Sequence, residues 1–112
     1  MSNYSIVFTS GKTEERVVIE TLNLKKASIV IRAINHKLRQ QILKFIDEKG
    51  KVIVSEIFLS LHLEQSVASQ HLAVLRKAGF VNADRDGKFI HYSVNTDRIK
   101  DVARFVEDLL KQ

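Results

Sequence analysis

Two short β-prone runs, Tyr4 to Thr9 and Arg16 to Ile19, flank Ser10-Gly11-Lys12 near the start of the chain. They predict either a loose hairpin or an extended arm, because a lone two-stranded hairpin is marginal in water. From Leu22 to Ile34 the period becomes helical. Leu22, Leu24, Ala27, Ile29, Val30, Ile31, Ala33 and Ile34 leave only a narrow polar stripe at Lys25, Lys26, Ser28 and Arg32. Such a helix wants burial on two sides.

After Asn35 a second helix is expected from about His36 to Lys49, burying Leu38, Ile42, Phe45 and Ile46 and stopping at Gly50, a residue suited to a left-handed cap. A short third helix, Val54 to Leu61, is followed across His62-Leu63 by a fourth that begins near Gln65 and ends before Gly79. Two helices joined by so short a link make a helix-turn-helix. Phe80 to Asp84 and Lys88 to Val94 then read as two strands around Arg85-Asp86-Gly87, with Asp-Gly as the turn signal. That hairpin is a wing. Asp97 to Leu110 returns to helix, and Ile99, Val102, Ala103, Phe105, Val106, Leu109 and Leu110 give it an apolar face wider than one small core absorbs. The chain has no internal repeat, no low-complexity tract and no proline.

The expected fold is therefore mainly α with a small β-hairpin wing (α+β), a winged helix-turn-helix that dimerises. Residues 1–20 form the arm or loose hairpin, and residues 21–112 the DNA-binding and dimerisation domain. At 112 residues there is room for one modest core, so a second functional half has to come from another copy. Lys and Arg outnumber Asp and Glu by 18 to 13 and the pI is near 9.6, the balance of a nucleic-acid binder. The absence of cysteine removes disulfides, thiolate metal ligands and thiol redox sensing together, and fits a cytoplasmic location. The apolar runs are short, and Met1-Ser2-Asn3-Tyr4 lacks the basic start of a signal peptide, so no membrane association is expected.

On a helical wheel the fourth helix places Ala68, Leu72 and Leu75 on one side and Ser66, Gln70, Ala73 and Lys77 on the other, with Gln65 and Ser69 on a flank. Short polar side chains let a helix sink into the major groove, and Gln and Ser offer donors and acceptors to base edges. An ordinary solvated face would carry mostly Lys and Glu, so a recognition surface is the stronger reading. Arg85 and Lys88 flank the wing tip, where they either reach phosphate or an adjacent minor groove or merely solubilise the turn. Lys25, Lys26, Arg32, Lys37, Arg39, Lys44, Lys49 and Lys51 face only Asp47 and Glu48 over their stretch, a basic surface that touches phosphate in part or is simply solvated.

Asn35-His36-Lys37-Leu38-Arg39 with Ile42-Leu43, then Gln65-Ser66-Val67-Ala68-Ser69-Gln70-His71-Leu72 with Leu75, Ala78-Gly79-Phe80-Val81, and Arg85-Asp86-Gly87-Lys88 with Tyr92-Ser93-Val94 carry a resemblance. In that order they resemble the ArsR-type family of bacterial winged-helix repressors over roughly three quarters of the chain. The resemblance implies a homodimer built from the first and last helices, a fourth helix in the major groove, and repression relieved by a signal. DNA contacts carry over to Gln65, Ser66, Ser69, Gln70, Arg85 and Lys88. Leu24, Ile31, Val102, Phe105, Val106 and Leu109 are the expected dimer contacts, and the operator is an imperfect inverted repeat of double-stranded DNA. Two departures stand out: Lys37 occupies a place where proline is common, and Glu64 one where the family often has a capping Ser. Glu caps less well and sets a negative charge near phosphate.

Family members that sense metal do so through cysteines on the third helix or Asp and His on the last. This chain has no cysteine, no histidine on its last helix, and no i, i+3 or i, i+4 pairing among its histidines at 36, 62, 71 and 91. No metal site and no cofactor are expected. His71 reads as a semi-buried residue of the fourth helix and His91 as an ordinary strand residue. No G-x-S-x-G, P-loop, G-x-G-x-x-G or H-E-x-x-H pattern is present, which argues against an enzyme. The competing function is a winged helix used only for protein contacts, since a fold does not dictate its use. The effector is not legible.

Overall fold

The computed structural model describes residues 4–9 and 15–111. In order they form β1 (Ser5–Thr9), β2 (Arg16–Glu20), α1 (Thr21–Ile34), α2 (Lys37–Lys49), α3 (Val54–Ser60), α4 (Gln65–Lys77), β3 (Val81–Asp86), β4 (Phe89–Val94) and α5 (Thr96–Leu110). The chain divides into two compact units, Met1–Arg32 and Ala33–Gln112. The expectations for Met1-Ser2-Asn3 and for the turn at Ser10-Gly11-Lys12 fall outside the described residues.

In the first unit β1 and β2 pair antiparallel with Ile6 opposite Ile19, Val7 opposite Val18 and Phe8 opposite Val17. The hairpin is tied to the start of α1, where the Thr21 N–H donates to the Tyr4 carbonyl at 3.0 Å. Every described residue of both strands is exposed.

The second unit holds the core: Ile42, Leu43, Ile46, Val52, Ile57, Ala68, Leu72, Leu75, Ala78, Phe80 and Val81, with Ala33 at its edge. Helix α2 differs slightly from its expected face. Leu43 is buried, whereas Leu38 and Phe45 are half-buried, because the buried stripe is centred on Ile42 and Ile46 and Phe45 lies at its margin under the Lys49 ammonium. The last carbonyls of α1 are satisfied from α2: Arg39 Nε donates to Ala33 O at 2.6 Å and Gln40 Nε2 to Ile34 O at 2.9 Å.

Helix α3 closes on a residue in the left-handed region, His62 at φ +55°, with the Leu63 N–H donating to Phe58 O at 2.9 Å. Helix α4 closes on Gly79 at φ +87°. There the Phe80 N–H bonds Leu75 O at 2.9 Å and the Gly79 N–H bonds Arg76 O at 3.0 Å, the paired hydrogen bonds of a Schellman cap, with Phe80 and Leu75 both buried beneath it.

Strands β3 and β4 pair from Val81 opposite Val94 to Asp86 opposite Phe89, so Gly87-Lys88 is a two-residue loop. This corrects the expected turn at Arg85-Asp86-Gly87. Gly87 has φ +62° and Lys88 does not share a positive φ, the order of a type II′ turn, which suits the twist of a hairpin and lets the ladder run through Arg85 and Asp86. Val52 exchanges both backbone hydrogen bonds with Tyr92, at 2.7 and 3.0 Å, fastening β4 to the α2–α3 connection. The architecture is the expected winged helix-turn-helix.

Candidate nucleic-acid interface

Helix α4 presents two unlike faces. Ala68, Leu72 and Leu75 are buried, while Gln65, Ser66, Ser69, Gln70, Ala73 and Lys77 are all exposed. No carboxylate stands between Gln65 and Lys77, and the outer face ends in Arg76 and Lys77. Its N-cap is Glu64, whose side chain makes no capping hydrogen bond, in keeping with its residue type. Helix α3 begins better: the Glu56 carboxylate accepts from the Ile53 N–H at 3.1 Å.

Two open grooves lie between α4 and the wing. One of about 420 Å³ is lined by Ser69, Leu72, Ala73, Arg76, Lys77 and Tyr92. The other, about 300 Å³, runs between the start of α3, Gln65 and the wing residues Lys88, Phe89, Ile90 and Tyr92. Gln65 and Lys88, assigned from sequence to different contacts, thus share one groove wall. Lys88 sits in the wing loop with its ammonium 5.7 Å from the centre of the Phe89 ring. Arg85 is exposed on the strand itself, opposite Ile90, one pair inward from the closing pair. Arg76 was not singled out from sequence, although a cation in the last turn of α4 was a signal for it. Tyr92 was named only for the family resemblance, because its place in the grooves depends on how β4 packs.

The expected dimer contacts lie at the surface. Phe105, Val106 and Leu109 are 46, 42 and 69% exposed, Val102 is half-buried, and no residue of α5 is buried. In the first unit Leu24 is exposed and Ile31 half-buried. The start of α5 is nevertheless well anchored: Asn95 accepts from the Arg98 N–H at 3.3 Å and donates through Nδ2 to Gly79 O at 3.0 Å, and Arg98 Nε donates to Ala78 O at 3.1 Å.

His71 is half-buried on α4, as expected. Burial first, then the neighbouring His36 and Arg39, lower its pKa below the ordinary histidine value of 6.5. The ring centres of His36 and His71 are 4.9 Å apart, a contact that spacing along the chain does not reveal. No group of three or more His, Asp or Glu side chains that could hold a metal ion occurs among the described residues. No helix among them is long and apolar enough to cross a membrane.

Residues 36–83 match the bacterial regulatory proteins of the arsR family. An HTH-type transcriptional regulator of Methanocaldococcus jannaschii is 34% identical over 85 residues, covering 76% of this chain and 96% of that protein. The chain belongs to the ArsR family. Among solved structures, reduced HlyU from Vibrio cholerae is 30% identical with a TM-score of 0.61, over 82% of this chain and 96% of that one. The transcriptional repressor PagR of Bacillus anthracis is 25% identical with a TM-score of 0.62, over 78% of this chain and 99% of that one. As an ArsR-family protein this chain is a DNA-binding transcriptional regulator by kinship. HlyU is described as an activator and PagR as a repressor, so kinship alone leaves the direction of regulation open.

Proposed function

We propose that this ArsR-family chain is a homodimeric, sequence-specific repressor of transcription in the cytoplasm, with no catalytic role. The observation that carries the reading is the outer face of α4: Gln65, Ser66, Ser69 and Gln70 are exposed together, backed by a buried apolar face and free of carboxylates. Side chains of that length and chemistry pair with base edges, Gln with adenine above all. Arg85 and Lys88 of the wing, joined by Arg76 and Lys77, hold phosphate. Repression then needs nothing beyond occupancy of the promoter.

The dimer is argued from apolar surface. Val102, Phe105, Val106 and Leu109 recur at i, i+3, i+4 and i+7 on α5; in the single chain Phe105, Val106 and Leu109 are exposed and Val102 is half-buried. A second copy covers this face, and Leu24 and Ile31 of α1 contribute to the same association. Two recognition helices related by a twofold axis read an imperfect inverted repeat with half-sites about one helical turn apart. The signal that releases DNA is not a thiol reaction, since the chain has no cysteine. Binding of the full chain to its own promoter region and to a scrambled duplex, at several salt concentrations, tests the reading. Selective, salt-sensitive binding by a dimer is expected; equal affinity for both duplexes makes the winged helix a protein-contact module instead.

A further inference from the structure

Three side chains outside the DNA-reading face meet where the recognition helix rests on α2. His36 caps α2, its Nδ1 accepting from the Arg39 backbone N–H at 3.4 Å. The Arg39 guanidinium donates to the Ala33 carbonyl at 2.6 Å and sets Nη1 3.4 Å from Nδ1 of His71 on α4. The two imidazoles lie 4.9 Å apart at their centres, tilted by 53°. A guanidinium and a backbone N–H can only donate, so both Nδ1 atoms are acceptors and both neutral rings carry their proton on Nε2. A protonated imidazole has no acceptor. Charging the His71 ring therefore breaks its bond to Arg39 and sets an imidazolium against the guanidinium.

We infer that Arg39 is a positioning residue for DNA reading: it holds His71, and with it the recognition helix, against the start of α2 only while the His71 ring is uncharged. This rests on the proposal that α4 reads DNA. The groups that face His71 and affect its charge are His36 and Arg39, both from the start of α2, and both oppose its protonation. Its folded pKa lies below its unfolded value, so the stability it contributes is present in full above about pH 6.5 and is lost as the pH falls through the lowered value. Acid thus loosens the seat of α4.

General electrostatics points the other way. A protein that gains protons becomes more cationic and binds any duplex more tightly through phosphate. Loss of the seat should instead lower operator affinity while affinity for scrambled DNA holds or rises. Operator preference should fall about tenfold as the pH drops through the titration of His71, the effect of removing one charge-assisted hydrogen bond.

The test uses the full chain. In the free protein, the backbone amide shifts of α4 should move with the same midpoint as the His71 ring in an acid titration. The double variant His36→Asn, His71→Gln keeps an acceptor at each place and cannot titrate, so its operator preference should match wild type at pH 7.5 and stay level down to 5.5. Arg39→Met should reduce operator preference, the ratio of operator to scrambled-duplex affinity, about tenfold at neutral pH. Amides of α4 that stay still while His71 titrates, or a double variant that keeps the wild-type pH dependence, would overturn the inference. If the amides follow His71 but no duplex is preferred at any pH, the seat of α4 stands and it is the DNA reading that fails.

Discussion

Gly79 joins α4 to the wing, and replacing it with Ala perturbs that junction in two separable ways. Its φ of +87° is a region that a residue with a Cβ occupies at a cost of about 1–2 kcal/mol. An added Cβ would also lie 3.3 Å from Arg98 Nε. Arg98 cannot withdraw freely, because the same Nε bonds the Ala78 carbonyl at 3.1 Å and the guanidinium carbon stands 6.0 Å from the centre of the Phe80 ring. Disturbing that hydrogen bond adds about 1 kcal/mol. Gly79→Ala should therefore cost about 2–3 kcal/mol.

Urea unfolding of wild type and Gly79→Ala measures the cost, and a double-mutant cycle with Arg98→Ala divides it. In the Arg98→Ala background the cost of Gly79→Ala should fall to the backbone part alone, about 1–2 kcal/mol. An unchanged cost in that background would refute this account of the cap.

Glu64→Ser should stabilise the protein by about 0.5–1 kcal/mol by giving α4 a side-chain cap, and should tighten DNA binding by removing a carboxylate beside phosphate, as read by thermal melting and duplex titration. His62→Gly relieves the left-handed strain in the link between α3 and α4 and should raise stability by up to about 1 kcal/mol with operator preference unchanged. Phe105→Asp should leave the single-chain fold intact by circular dichroism, since Phe105 is 46% exposed there, yet shift the protein from dimer to monomer by sedimentation; a wild-type monomer at micromolar concentration would contradict the dimer.

The helices were legible because each has a strong local signal. Ala68, Leu72 and Leu75 recur at helical spacing, and Gly79 supplies the left-handed stop that the Schellman cap uses. The wing turn was misplaced by a residue because Asp86-Gly87 looks like the centre of a hairpin, whereas the pairing of Asp86 with Phe89 puts Gly87 first in the loop. That shift moves Lys88 into the tip and Arg85 onto the strand. The meeting of His36, Arg39 and His71 left no trace in spacing, because it depends on how α2 crosses α4. For the same reason Tyr92 could be read as a strand residue but not as the wall shared by two grooves.

The central claim is that the outer face of α4 reads bases, and Gln70→Ala tests it most directly. Gln70 is exposed, outside the core, and carries an amide able to pair bidentately with adenine. Affinities of wild type and Gln70→Ala are measured for operator and scrambled duplexes over a salt series. The account predicts a loss of about 1–3 kcal/mol on the operator, almost none on the scrambled duplex, and an unchanged salt slope. Arg85→Ala and Lys88→Ala, by contrast, should weaken both duplexes and lower the slope by roughly one unit for each phosphate that is no longer neutralised. An equal loss on both duplexes for Gln70→Ala would contradict the assignment of base reading to this face.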